Sequence, residues 1–449
     1  MATDNSELEY DPTDPDSIVS YAKRLEGKTL REMSDAPDLP DPHVRRGSFG
    51  NALEEYYFKY AINSDSAPDF ADAGLELKAT PMKKNANGEL VAKERLVLSM
   101  IDFMAIPEES FESCHLLDKV SDMLVVSYLY EKDKNPVDYP IQFAERWQIP
   151  AADMPQIKKD YETVANKVKA GHAEDISGSD TVYLEACTKA KDSTVRREQP
   201  FSPVPAKPRA WALKASYMTG VERELLNKSQ AIKREQGEEG LGVLELIRKR
   251  FEPYFGKTQE ELMDELGVSK SKNSAARITN KVLGIGKGMQ AAELVKAGAK
   301  PKTIRLQKNG RPKEAIPFPA FDYFELEQTP FEESNFYAQL KQLYLFVIYR
   351  ENVAGDYVLS DVCFWQMPDA DFDEARRCYE QMQENVRNGR ADISVKSSEN
   401  RCCHVRPHGR NNDDALLQPY GAPVVKKCFW LNQSYVQEEI TRVLGSQLV

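Results

Sequence analysis

The segment "PDFADAGLELKATP", Pro68 to Pro81, decides how the rest of the chain is read. Its second half alternates like a β-strand, so Glu76 and Lys78 project to one face while Leu77 points the other way, into the core. Asp69 precedes them at the spacing D-x6-E-x-K and enters from the preceding strand edge or turn. Two carboxylates and an ammonium converging on one face suit phosphodiester hydrolysis. Mg²⁺ held by Asp69 and Glu76 neutralises charge building on the phosphate, and Lys78 orients or deprotonates the attacking water. The spacing alone is weak, because a chain with 29% charged residues produces D-x(n)-E-x-K by accident.

The flanks give this strand a setting. Upstream, "RGSFGNALEEYYFKY" places Phe49, Leu53, Tyr56 and Tyr60 on one helical face. Downstream, Asn87-Gly88 reads as a two-residue hairpin turn before "ELVAKERLVLSMIDF", and "LLDKVSDMLVVSYLY" as a short helix running into a buried strand. The class is α+β or α/β, a hairpin-centred mixed sheet with flanking helices.

The chain also repeats itself. "RWQIPAADMPQIKKDYETVANKVKAGHAEDIS", from Arg146, recurs as "FWQMPDADFDEARRCYEQMQENVRNGRADIS", from Phe364, with W-Q-x-P, a tyrosine fourteen residues after the tryptophan and the closing D-I-S in register apart from one missing residue. "GKTLREM" (Gly27) is echoed by "GKTQEELMDELG" (Gly256), "GLELKATPM" by "GAKPKTIRL", Asn87-Gly88 by Asn309-Gly310, and "ASYM" by "QSYV". Two tandem copies of one fold follow. An acidic disordered tail spans 1–17, a first copy 18–220, a charged linker 221–242 and a second copy 243–449. In the second copy Lys300 stands opposite Glu76, Lys302 opposite Lys78 and Glu293 opposite Asp69. A lysine amid the ligands repels Mg²⁺, so this copy is expected to be degenerate.

Composition sets limits on these readings. At 449 residues the chain exceeds one ordinary core, and no apolar run approaches the roughly 18 residues of a membrane span. The opening residues lack the basic and apolar regions of a secretory signal, which predicts a cytoplasmic protein without membrane contact. Seven cysteines without a CxxC pair predict reduced thiols, and "CCHVRPH" is a poor zinc site because adjacent cysteines rarely ligate one ion. The net charge of −11 falls to −5 without the six acids of the leading segment, so charge neither supports nor excludes nucleic acid as a partner. Trp147 and Trp365 read as core, and Tyr217 and Tyr435 mostly so. Lys189, Lys191, Arg196 and Arg197 form a basic cluster suited to phosphates or guanine edges.

"GNALEEYYFKYAINSDSAPDFADAGLELKATPMKKNANGELVAKERLVL" resembles the MutH-like endonucleases, and within them the type II restriction enzymes that carry two MutH-like copies and cut at GATC. "LEACTKAKDSTVRREQPFSP", "RAWALKASYMT" and "CHVRPHGRNN" extend the resemblance along the chain after the tail. It implies a Mg²⁺-dependent site of Asp69, Glu76 and Lys78, joined by a glutamate in a G-x-x-G-x-x-x-E helix (Gly47, Gly50, Glu54, with Glu55 as the alternative) and by Lys119. The duplicate has Asn280 opposite Glu54 and Gln339 opposite Lys119. The resemblance further implies DNA-reading loops at Lys189 in the first copy and at Arg406 to His408 in the second. The partner it implies is duplex DNA containing GATC, at one site or two, bound by a chain that is monomeric alone and pairs on DNA. A strand-nicking repair nuclease and a non-catalytic DNA-binding regulator are the competing readings.

Overall fold

The computed structural model describes residues 8–40, 48–60, 68–85, 88–114, 116–117, 122–271, 273–408 and 414–447. The chain divides into two compact units, residues 1–229 with 235–242, and residues 230–234 with 243–449. No helix among the described residues is long and apolar enough to cross a membrane.

The first unit is organised by β1 (Glu76–Lys84), β2 (Leu90–Ala92), β4 (Met123–Leu129) and β5 (Ile141–Trp147), which form a mixed sheet of order β2-β1-β4-β5. Met123 through Ser127 are all buried, as the continuous apolar run requires of a central strand. β4 runs parallel to β1 and antiparallel to β5. A second sheet joins β3 (Leu96–Met100), β6 (Leu184–Thr188) and β9 (Arg209–Leu213) in the order β3-β9-β6. Between β6 and β9 a long excursion carries the hairpin of β7 (Arg197–Gln199) and β8 (Ser202–Ala206).

The second unit has a parallel pair Ala299–Leu306 and Leu343–Glu351 followed by antiparallel Tyr357–Trp365. Its second sheet joins Ile316–Ala320, Lys427–Leu431 and Cys403–Pro407. Starting from the tryptophan of W-Q-x-P, the strand register reads Trp147, Met123, Glu76 in the first unit and Trp365, Tyr344, Lys300 in the second. The G-K-T segments also do the same work in each. Gly27 N–H donates to Ile141 and Lys28 C=O accepts from Ile141; Gly256 and Lys257 bond Leu359 in the same way. Thr29 with Glu32, and Thr258 with Glu261, then close capping boxes on the helix that follows. Tyr217 hydroxyl donates to Asp153 and Tyr435 hydroxyl to Asp371, both at 2.9 Å. Both tyrosines are completely buried. Trp147 and Trp365 are core residues, and all seven cysteines are buried free thiols.

Four local expectations are corrected. Asn87 lies outside the described residues, but Asn85 N–H bonds Glu89 C=O with Gly88 at φ 78°, and Gln307 bonds Arg311 with Gly310 at φ 78°. Both connections therefore hold three residues and end on a left-handed glycine, rather than being two-residue turns. In its described part, residues 8–17, the expected disordered tail is ordered: Tyr10 is buried, stacks on Tyr21 at 5.0 Å and donates to Phe58 C=O, and Asp14 caps the helix Pro15–Ala22. The helical face Phe49, Leu53, Tyr56, Tyr60 is broken, because the helix Ser48–Ala52 passes into a π-turn at Leu53–Tyr57. That wider turn buries Tyr57 and Phe58 fully in the core and leaves Tyr56 and Tyr60 partly buried against it.

The fourth correction concerns the expected linker, which begins inside the helix Ala215–Leu225. Glu222 there is 1% exposed, and neither carboxylate oxygen has a hydrogen-bond partner among the described residues. Burial pushes its pKa up to about 8, against a weaker downward pull from Arg223. A carboxyl raised above its unfolded value of 4.5 favours folding while protonated, so its cost grows as pH rises from there to about 8 and is constant beyond. Glu222→Gln should stabilise the protein by on the order of a few kcal/mol at about pH 9 and change little at about pH 4, measured by urea unfolding. Equal effects at both pH values would show that Glu222 is not held as a neutral acid.

Candidate active site

Asp69 reaches Glu76 through a tight local return. Phe70 and Leu75 exchange backbone hydrogen bonds at 2.9 and 3.2 Å around the short turn Ala71–Ala73, closed by Gly74 at φ 66°. The turn folds Asp69 back so that its Oδ2 accepts from the N–H of Leu77 at 2.8 Å, on the strand that carries the other two groups. Glu76 Oε1 and Lys78 Nζ lie 2.6 Å apart on the same face of β1, both largely shielded from water. Parallel pairing with β4 fixes that face, with Glu76 beside Met123 and Lys78 beside Val125.

Glu54 approaches from the π-turn. Half-buried, its carboxyl is pushed up to about 7, first by burial and then by the Asp69 carboxylate, while Lys78 pulls it down. Glu55, one residue on, is exposed. The structure thus brings Glu54, Asp69, Glu76 and Lys78 together and leaves Glu55 outside. Lys119 and Gly47 lie outside the described residues.

Tyr60 borders the same acids, although the sequence reading gave it only a place on a helical face. Lys59 adopts a left-handed φ of 57°, and Tyr60 N–H bonds Glu54 C=O at 3.1 Å. Its ring packs edge-on against Phe70 at 5.1 Å, and its hydroxyl is buried without a hydrogen-bond partner among the described residues. Burial, then Asp69 and Glu54, push its pKa upward, so it faces the acid cluster as a neutral hydroxyl. The only signal for this in the sequence is the aromatic after E-E-Y-Y-F-K, which periodicity places on a helical face with Phe49, Leu53 and Tyr56.

The donor set suits a hard divalent cation by its chemistry, although its ligand atoms do not all lie within 4.8 Å of one another. Three carboxylates offer only oxygen, the ligand Mg²⁺ prefers, and their mutual repulsion rises as they ionise together. Lys78 offsets part of that charge through Glu76.

The corresponding places in the second unit are built differently. Lys300 is exposed, and Lys302, its pKa lowered by burial, donates to Pro317 C=O at 3.3 Å. Glu293 is buried and accepts from Ile232 N–H with both oxygens. Gln339 donates to Asn335 side chain at 3.4 Å, and Asn280 C=O accepts from Ile285 N–H.

Among the basic residues, Lys189, Lys191, Arg196 and Arg197 are all exposed on the excursion between β6 and β9. Arg406 lies with its guanidinium 3.7 Å from the Trp430 ring centre, and His408 meets the same ring edge-on at 5.4 Å. Arg406 also borders a cavity of about 470 Å³ with Arg311 and Lys313. His404, by contrast, is bonded through Nδ1 to Asn432 at 2.6 Å, a structural role. One further group escaped sequence reading. His172, Glu174 and Asp175 bring ligand atoms within 4.8 Å of one another on a short surface turn and could chelate a divalent metal. The spacing H-x-E-D is too short and common to have signalled it.

A family model described as the DNA mismatch repair enzyme MutH matches residues 58–160, a span that includes Asp69, Glu76 and Lys78. The type II restriction enzyme Sau3AI of Staphylococcus aureus is 28% identical over 500 residues, covering 95% of this chain and 98% of its own. The DNA mismatch repair protein MutH of Yersinia enterocolitica is 24% identical over 211 residues, 46% of this chain and 91% of its own, and that of Yersinia pestis is similar at 24%, 45% and 90%. A MutH-like, restriction-endonuclease-like fold accounts for part of the chain, and at the level of the superfamily the protein is homologous to these restriction and repair enzymes.

Proposed function

We propose that the protein is a type II restriction endonuclease that hydrolyses both strands of duplex DNA at GATC with Mg²⁺, using one active site in the first of two related units. The observation that carries this is the meeting of Glu54, Asp69, Glu76 and Lys78 at one end of β1, against a lysine at the same register in the second unit. Mg²⁺, when bound, would polarise the phosphate and lower the pKa of a water. Asp69 and Glu76 would hold it. Lys78 orients the water that attacks phosphorus as the bond to the leaving sugar oxygen breaks, and its charge opposes the negative charge that accumulates. Glu54 would add a third carboxyl to that ligand set.

The second unit is read as a degenerate copy with a DNA-binding, regulatory role through Arg406 and His408. The length of the match to Sau3AI supports this over the nicking repair reading, since the MutH proteins account for under half of the chain. The acid cluster weighs against a pure DNA-binding regulator, which has no use for like charges held together. A single centre faces one scissile phosphate, and the strands of a palindrome are related by a two-fold axis, so two chains pair across it.

Plasmids of known sequence and of known adenine or cytosine methylation, incubated with Mg²⁺ or EDTA, should be cut only with Mg²⁺, with every end at GATC. Asp69→Ala or Glu76→Ala should cut below about a hundredth of the parent rate while binding GATC duplex near normally. Cutting above that rate by either variant would show that the chemistry lies elsewhere.

Glu54→Gln should slow cleavage at least about tenfold and Glu55→Gln should leave it within about twofold. The reverse order would give the accessory role to Glu55. If the second unit holds another duplex, changing both Arg406 and His408 to alanine should erase a rate advantage of two-site over one-site plasmid, and equal initial rates on the two plasmids in the parent protein would exclude that role.

A further inference from the structure

The hairpin of β7 and β8 turns on Gln199-Pro200-Phe201-Ser202, and Phe201 sits there at φ 65°, one of three non-glycine residues with positive φ among those described. Proline second and a left-handed residue third is the pattern of a type II turn, whose third position ordinarily takes glycine or asparagine. A phenylalanine is strained there and gains nothing from packing, because it is 73% exposed. The turn is nevertheless firmly held. Buried Gln199 donates to Val204 C=O and to Glu174, and accepts from Ala173 N–H. The backbone of Phe201 lies against Gly171, where a Cβ would meet Phe201 O at 2.8 Å.

The second unit makes the same arrangement by a different backbone route. Gln418-Pro419-Tyr420 matches the Q-P-aromatic sequence, Gln418 is buried and donates to Ala422 C=O, and a Cβ on Gly389 would meet Tyr420 O. Tyr420 is not left-handed, and Gly421 takes the unusual φ of 155° instead. It is still 52% exposed. Two turn geometries that keep one result, an aromatic side chain pushed into water, point to a use for the side chain rather than for the turn.

The surroundings indicate the ligand. Phe201 stands on the same excursion as Lys189, Lys191, Arg196 and Arg197, none of which forms an ion pair with a described residue. Arg197 stands on β7 only two residues before Gln199, where the chain turns to Phe201. We propose that Phe201, and Tyr420 as its counterpart, are wedges that press between or onto the bases of duplex DNA while the neighbouring cations hold the backbone. Apolar side chains inserted at a base step unstack it and let the duplex bend around more protein surface. The inference rests on the DNA reading above and adds the residues that deform the substrate.

The test uses full-length protein carrying Asp69→Ala, so that DNA is bound without being cut, and GATC duplexes with 2-aminopurine at successive positions in and beside the site. Binding should raise 2-aminopurine emission severalfold at one step. Adding Phe201→Gly should abolish that rise and weaken binding about tenfold, the size of one lost stacking contact. The same change should leave the thermal midpoint equal or higher, because glycine relieves the left-handed φ, so the loss cannot be put down to misfolding. Phe201→Trp should restore the rise and show quenched indole emission on the duplex. Unchanged emission and affinity in Phe201→Gly would overturn this inference alone, whereas failure of the Asp69→Ala parent to bind any GATC duplex would overturn the DNA reading and the wedge with it.

Discussion

The parallel pairing of β1 with β4 is the constraint on which the site depends. Because side chains alternate along a strand, register on a buried neighbour decides which residues share the open face. Glu76 and Lys78 share it only because Leu77 is anchored in the core beside Leu124. A slip by one residue would bury both charges and expose the leucine. The return from Phe70 to Leu75 then supplies Asp69, and the π-turn supplies Glu54. Irregular backbone is concentrated around this point: a π-turn, left-handed Lys59 and left-handed Gly74 all lie within the approach to β1. Such strain is tolerated where it brings like charges together that a regular element would keep apart.

Comparison of the units separates what the fold needs from what the chemistry needs. The G-K-T capping segment, the buried Tyr–Asp hydrogen bond and the tryptophan at the head of the register occur in both. These hold sheet edges and helix ends in place. A basic residue at the start of the last strand clamps the D-I-S loop in each case, Arg209 on Ile176 C=O and Lys427 on Ala391 and Asp392 C=O. The cluster of acids does not recur. Lys300 occupies the register of Glu76, and Glu293 is consumed by backbone hydrogen bonds to Ile232.

Much of this was legible in the sequence because it rests on local rules. Strand alternation predicted the shared face of Glu76 and Lys78, and W-Q-x-P, read as a sequence repeat, heads a matching strand register in each unit. The failures were equally physical. Periodicity assumes 3.6 residues per turn, so it could not anticipate the extra residue of a π-turn that breaks the shared face and turns the Tyr60 hydroxyl toward the acid cluster while its ring stays on Phe70. Composition marked the leading segment as disordered because it counts charges and prolines, and it could not see that Tyr10 docks the described residues 8–17 on Tyr21 and Phe58. The outward Phe201 looked like any phenylalanine, since nothing in a one-dimensional pattern says that a turn will hold it in water.

The central claim is that the divalent ion binds among the acids at the head of β1 and nowhere in the second unit. Anomalous diffraction from crystals grown with Mn²⁺ in place of Mg²⁺ tests it directly. The account predicts the strongest peak between Asp69 and Glu76, beside Glu54, with none near Lys300 or Glu293. A peak confined to the surface group of His172, Glu174 and Asp175, or one in the second unit, would contradict it.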